Sequence, residues 1–168
     1  RILRLAWHLL VGAVTVAVFY PHAGEARRLL LKQRWSQRFI DILGLQLDAR
    51  LGTMEAGSLV IANHVSWIDV LVLNAALPVA FVSKSEVRQW PLIGWLAART
   101  DTVFLRRGSR GHARIVNGEI AVLLKTGKDV AVFPEGTTTD GSHLLGFHAA
   151  LLQAAVEVER PIQVLALR

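Results

Sequence analysis

The sequence predicts an α/β fold: a single domain with a mixed, partly parallel sheet flanked by helices, preceded by an N-terminal membrane-associated helical segment. Three observations predict it. From Ser58 onward, short apolar runs of strand length alternate with stretches of helical periodicity. The first 45 residues carry no strand pattern, only an apolar run and then a basic amphipathic one. Polar clusters fall where the strand-like runs stop, which is where open α/β sheets place ligands.

Residues 5–20 are apolar except for His8 and Thr15. As a helix at about 1.5 Å per residue the run reaches roughly 24 Å, short of a bilayer core of about 30 Å. A tilted span, a helix dipping into one leaflet and a buried core helix all stay open. Pro21 and Gly24 end the run. From Glu25 to Leu45, Leu31, Trp35, Phe39, Ile42 and Leu43 recur at helical spacing, with Arg27, Arg28, Lys32, Arg34 and Arg38 between them. A basic amphipathic helix of this kind suits a membrane surface; a surface helix with a solvated basic face gives the same pattern. Residues 1–45 are therefore expected to attach the chain to a membrane, and residues 46–168 to form the α/β domain, truncated at its C-terminus.

Gly44 to Gly57 reads as loop or weak strand. Strands are expected at 59–62, 79–82, 102–105, 129–133 and 162–167. Helices are expected at 70–76, at 90–98 with Pro91 near the start, at 111–124 and at 149–157. Ile115, Ile120 and Leu124 mark the apolar side of the third of these.

Composition narrows the function. Hydrophobic residues make up 52% of 168 and the formal charge is +6, with pI near 10.7 and mean hydropathy +0.39. Apolar and basic together point to an anionic membrane surface or anionic ligands. A nucleic-acid partner would explain the charge but not the apolar N-terminus, and no aromatic-studded basic face is present. There is no cysteine, hence no thiol nucleophile and no zinc–thiolate site. His8, His22, His112, His143 and His148 read as structural or solvated, and no metal is expected.

The polar cluster that organises the rest is Asn63-His64-Val65-Ser66-Trp67-Ile68-Asp69. It sits where the strand at 59–62 hands over to a helix. A neutral imidazole there can take a proton from a hydroxyl, and a carboxylate five residues on can orient it and stabilise the imidazolium. The competing reading is a capping box, Ser66 to Asp69, with the acid in the first helical turn. Two more clusters follow strands. Arg106-Arg107 follows 102–105, a strand expected to end beside His64; paired guanidinium donors suit phosphate, while a solvated basic loop is the competing reading and the one preferred for Arg106. Phe133-Pro134-Glu135-Gly136-Thr137 follows 129–133; its hydroxyls and amides suit an anion, and a tight turn with an exposed Glu135 is the competing reading. Lys84, past the second strand, is either a source of positive charge for the site or a solvated lysine.

N-H-x-x-x-x-D at 63–69, the strand ending at Phe104 with Arg107 beyond it, F-P-E-G-T at 133–137 and an apolar strand opening at Pro161 together resemble the four blocks of the glycerolipid acyltransferases. They look most like the bacterial 1-acyl-sn-glycerol-3-phosphate (lysophosphatidic acid) acyltransferases, and the resemblance runs from about Ser58 to Ala166. It implies transfer of a fatty acyl group from a thioester, on coenzyme A or acyl carrier protein, to the hydroxyl of lysophosphatidic acid, giving phosphatidic acid. A lyso-ornithine lipid is the alternative acceptor, and a non-catalytic membrane lipid-binding module the alternative of another class. It further implies His64 as general base and Asp69 as its partner. Arg107 would bind the acceptor's phosphate, Glu135 and Gly136 would shape the pocket, Thr137 would lend a hydroxyl and Lys84 would add charge. Glu135 is expected to hold Arg107 or a backbone amide and not the ligand, since a carboxylate repels phosphate. No cofactor is implied beyond the thioester co-substrate. The location implied is the cytoplasmic face of a bacterial inner membrane. Two positions depart from the pattern: Thr138 and Thr139 stand where many relatives have Arg and Ser, and Gln163-Val164-Leu165 stands where a second proline is common. Neither departure removes a catalytic group; both bear on the acceptor.

Overall fold

A computed structural model describes residues 1–106 and 110–168, Arg110 by its backbone alone. The described chain forms two compact units, residues 1–50 with 68–79 and residues 51–67 with 80–168.

The first unit is helical. Helix α1 (Ile2–Val14) continues through a π-helical stretch (Thr15–Phe19) into a 3₁₀ turn (Tyr20–His22). Thr15 bonds its hydroxyl back to the Val11 carbonyl at 2.8 Å where the winding changes. The helical run is thus longer than the apolar run alone suggests: Ile2–His22 is 21 residues with mean hydropathy 1.9. Its rise of roughly 30 Å matches a bilayer core by length and composition.

Helix α2 (Glu25–Leu43) starts after Gly24 and stops at Gly44, whose φ of +81° turns the chain out of the helix. Gly44 and Leu45 return their amides to the Ile40 carbonyl at 3.1 and 3.2 Å. The α1–α2 crossing is held by a reciprocal pair. His8 Nε2–H donates to the Trp35 carbonyl at 2.9 Å, and Trp35 Nε1–H donates to the His8 carbonyl at 3.1 Å. Their rings stack at 4.9 Å and 10°.

Helix α3 (Asp69–Ala76) belongs to this unit too. Side chains of α2 satisfy the carbonyls at and beyond its end. Gln37 Nε2 donates to the Ala75 carbonyl at 3.0 Å, Gln33 Nε2 reaches Ala75 and Ala76, and Lys32 Nζ reaches Val79 at 2.8 Å. Ala75 and Ala76 are among the orphan acceptors a helix C-terminus leaves, while Val79 lies beyond the helix. Arg28 Nε–H donates to the Tyr20 carbonyl at 3.0 Å. Of the five cations expected on a free basic face, Arg28 and Lys32 are therefore drawn into the unit, while Arg27, Arg34 and Arg38 are exposed.

The second unit is built on five strands, β1 (Leu59–Ala62), β2 (Ala80–Lys84), β3 (Val103–Leu105), β4 (Val130–Val132) and β5 (Ile162–Leu165), in the order β3-β2-β4-β1-β5. Every pairing is parallel, where a mixed sheet was expected. Each connection carries helix and no two-residue hairpin occurs among the described residues, which leaves the parallel arrangement. β1 is buried at all four positions, as a strand covered on both faces must be. Helix α5 (Arg110–Lys125) packs Val116, Ile120 and Leu124 onto the sheet, all nearly inaccessible. Val116 lies on that stripe in place of Ile115, which is exposed, because rows four residues apart share a helix face.

Two expected helices are shorter. Pro91 keeps Trp90 extended and Leu92 takes φ +61°, so α4 begins at Ile93 (Ile93–Ala98) after a 3₁₀ turn at Ser85–Gln89. The helix expected at 149–157 divides into a 3₁₀ turn (Ala149–Leu151) and α6 (Gln153–Glu157).

Gly12 tests the α1–α2 crossing. A Cβ there would lie 2.5 Å from Trp35 Nε1. Gly12→Val should displace the indole, break its bond to His8 and destabilise the protein by about 1–3 kcal/mol in chemical denaturation.

Candidate active site

In a parallel sheet all strands point their carboxyl ends to one edge. That edge of the second unit carries Asn63 and His64 after β1, Lys84 at the end of β2, Arg106 after β3, and Phe133 to Thr137 after β4. Since β4 lies beside β1, the two most informative motifs come from neighbouring strands. β3 does not end beside β1, as the sequence had suggested. It is the sheet's edge strand, with β2 and β4 between, roughly 14 Å away at about 4.8 Å per strand. Arg107 itself lies outside the described residues.

The loop after β4 is a tight turn. Gly136 N–H donates to the Phe133 carbonyl at 3.0 Å, with Pro134 second and Gly136 fourth in the turn. Gly136 takes φ +69°, a backbone conformation glycine adopts without strain. This turn aims Glu135 inward, where it is 4% exposed. Its carboxylate accepts two backbone amides: His64 N–H on Oε1 and Leu145 N–H on Oε2, both at 2.8 Å. A buried carboxylate is tolerated when its oxygens are bonded, and charge-assisted bonds of this kind are strong. Thr137, next after the turn, is exposed.

His64 is fixed from several sides within this unit. Its carbonyl accepts from Thr139 N–H at 2.9 Å. Its ring stacks on Phe133 with centroids 4.0 Å apart and planes 12° apart, and Phe133 in turn stacks on Phe81 at 6.1 Å. The preceding residue, Asn63, donates from Nδ2 to the Leu167 carbonyl at 2.9 Å, and its Oδ1 accepts from Leu167 N–H at 2.7 Å. The Asn63 side chain thereby continues the β1–β5 ladder past its last backbone pair, Ala62 with Leu165. Asn63 and Phe133 stand inside the sequence motifs, yet spacing alone gave neither a role. Asn63 could have been found from its polar amide at the mouth of a buried strand, where an amide must find a partner.

Asp69 lies in the other compact unit, as the first residue of α3 and 8% exposed. The helix opens at Ile68 with no side-chain cap, and the Leu71 and Val72 amides bond the Ile68 carbonyl at 2.8 and 2.9 Å. Lys84 is exposed at its strand end. In the 137–143 loop, the Ser142 hydroxyl and amide bond Asp140 at 2.6 and 2.9 Å, holding its carboxyl below the usual carboxylate range. Among the described residues no group of His, Asp and Glu is arranged to hold a metal ion.

Three comparisons bear on this arrangement. Residues 45–168 match the acyltransferase family. A lyso-ornithine lipid O-acyltransferase of Pseudomonas aeruginosa is 41% identical over 140 residues, covering 83% of this chain and 54% of that protein. A 1-acyl-sn-glycerol-3-phosphate acyltransferase of Neisseria gonorrhoeae is 36% identical over 126 residues, covering 75% of this chain and 49% of that protein. The chain spans about half the length of these curated relatives. The crystal structure of the 1-acyl-sn-glycerophosphate (LPA) acyltransferase PlsC from Thermotoga maritima is similar with a TM-score of 0.69 at 26% identity. That match covers 95% of this chain and 71% of the other.

The Glu135 clamp makes a prediction independent of any reaction. Glu135→Gln keeps the shape but turns one acceptor into a donor facing an amide. Unfolding free energy should fall by about 1–3 kcal/mol. Hydrogen exchange should quicken at the amides of His64 and Leu145 well before it does in β4.

Proposed function

The chain belongs to the acyltransferase family, and from that premise we propose that it moves a fatty acyl group from a thioester to the free hydroxyl of a membrane lysolipid. The observation that carries this reading is His64, held by Phe133 and by the Glu135 clamp at the carboxyl edge of the sheet. In the proposed step, His64 takes the proton of the acceptor hydroxyl as its oxygen attacks the thioester carbonyl carbon. A carbon–oxygen bond forms, the tetrahedral intermediate collapses, the carbon–sulfur bond breaks, and His64 returns the proton to the leaving thiolate. Asp69 is assigned the partner role on the five-residue spacing of the motif. No acyl-enzyme is required. Gly136 and Glu135 shape the acceptor pocket, Thr137 offers it a hydroxyl, Lys84 adds positive charge, and Arg107 binds an anionic head group with paired donors. The donor is acyl-CoA or acyl carrier protein. The N-terminal helices hold the enzyme at the membrane, on the cytoplasmic face.

The acceptor we assign is a lyso-ornithine lipid. Two observations favour it. The Pseudomonas aeruginosa relative shares more residues with this chain than the lysophosphatidate-acylating one does. Thr138 also stands where many relatives carry an arginine, which removes a cation from the loop after β4. Lysophosphatidic acid, with phosphatidic acid as product, is the second reading, favoured by the likeness to PlsC.

Two measurements test these readings. His64→Ala should lose at least about 10²–10⁴ in kcat while remaining folded, and Asp69→Asn should be severely impaired; near-normal turnover of His64→Ala removes the mechanism. An acceptor panel with a labelled acyl thioester should give lyso-ornithine lipid the higher kcat/KM. If lysophosphatidate is preferred instead, Arg107→Ala should raise its KM by about ten- to several-hundred-fold with little change in the donor KM.

A further inference from the structure

The β2–β3 connection of the second unit carries a feature the site does not use. Between the 3₁₀ turn at Ser85–Gln89 and α4, the chain runs Trp90-Pro91-Leu92-Ile93, and all four residues are exposed. Trp90 is 57%, Leu92 39% and Ile93 41% accessible. Consecutive apolar side chains led by a tryptophan are costly to leave in water and suit a lipid–water boundary.

The apolar tip has a specific backbone geometry. Leu92 sits at φ +61° and ψ −54°, a conformation L-residues rarely adopt. Gly94 permits the close approach of the chain to the Arg88 carbonyl, with which any Cβ at that position would collide. The backbone of the tip bonds to itself: Trp90 N–H to Val87 at 3.1 Å, Ile93 N–H to Pro91 at 2.6 Å, Gly94 N–H to Trp90 at 2.9 Å and Leu96 N–H to Leu92 at 2.8 Å. Each such bond lowers the cost of taking a backbone polar group out of water.

Cations flank the tip. Exposed Arg88 lies over the Phe104 ring at 5.5 Å and exposed Arg99 over the Trp95 ring at 4.5 Å. Lys84 is exposed just before the segment. The acidic groups on it are Glu86, which accepts from the Ser85 hydroxyl at 3.2 Å, and Asp101, which pairs with Lys128 at 3.1 Å. An apolar wedge between arginines matches an anionic lipid surface, with side chains among the acyl chains and guanidinium groups at the phosphates.

We propose that Trp90, Leu92 and Ile93 form a second membrane contact, carried by the α/β unit itself and distinct from the N-terminal helices, with Arg88 and Arg99 reading anionic head groups. This holds or fails independently of which acceptor is acylated. The test uses the full chain with vesicles of phosphatidylcholine alone or mixed in equal parts with phosphatidylglycerol. With brominated lipids, Trp90→Phe should lose a share of the tryptophan quenching seen in the wild type; equal quenching in both overturns the proposal. Trp90→Ser/Ile93→Ser, shown to be folded by circular dichroism, should bind vesicles about tenfold more weakly. Arg88→Gln and Arg99→Gln should each cost about fivefold on the mixed vesicles and little on phosphatidylcholine. Unchanged vesicle binding in the folded double variant overturns the proposal. So does lipid-free self-association of the wild type that the double variant abolishes, which would make the patch an interface between copies. If the double variant does not fold, the Trp90→Phe quenching decides.

Discussion

One buried carboxylate organises the candidate site. Glu135 accepts an amide from the loop after β1 and another from residue 145. Without it those two amides would have to find water or distort their loops, and the turn Phe133–Gly136 would have no inward anchor. The clamp requires β4 beside β1, which is what the strand order supplies. It requires the FPEG turn, which proline and a left-handed glycine supply. It also places Phe133 under the His64 ring, so backbone and side chain of the histidine are fixed from the same short stretch of chain.

Much of this was legible in the residues. β1 begins and ends where its four apolar residues do, since a strand buried on both faces has no polar register to blur its limits. A backbone amide was one of the two partners that charge alone suggested for Glu135, and both its oxygens accept backbone N–H groups. Other features depended on tertiary context. Ile115 and Val116 are adjacent and equally apolar, and only the row through Ile120 and Leu124 decides which faces the sheet. Strand order cannot be read from sequence spacing, so β3 was placed beside β1 when it lies at the sheet's edge. Lys32 and Arg28 looked like members of a solvated face because periodicity does not reveal carbonyls waiting at the end of another helix.

The helical unit shows how a small assembly compensates for its own exposed ends. Helix α3 is only two turns long, so half of its backbone carbonyls lack intrahelical partners. Gln33 and Gln37, one turn apart on α2, meet two of them, and Lys32 meets the Val79 carbonyl beyond the helix. The same helix presents Trp35 to His8. A single amphipathic segment thus bonds to two partners with polar atoms on faces a hydropathy plot treats as solvent.

The reciprocal bonds between Asn63 and Leu167 join residues 104 apart in the chain. β1 likewise finds its neighbours only at β4 and β5. On a ribosome, β1 and the histidine that follows it emerge early and must wait for both flanking strands. Such non-local pairing folds slowly and leaves apolar edges uncovered meanwhile. A nascent chain stalled before Ile162 would hold His64 but not the strand that aligns Asn63 before it. The loop after β1 therefore becomes ordered only once both flanking strands are in place, and β1 stays uncovered until then.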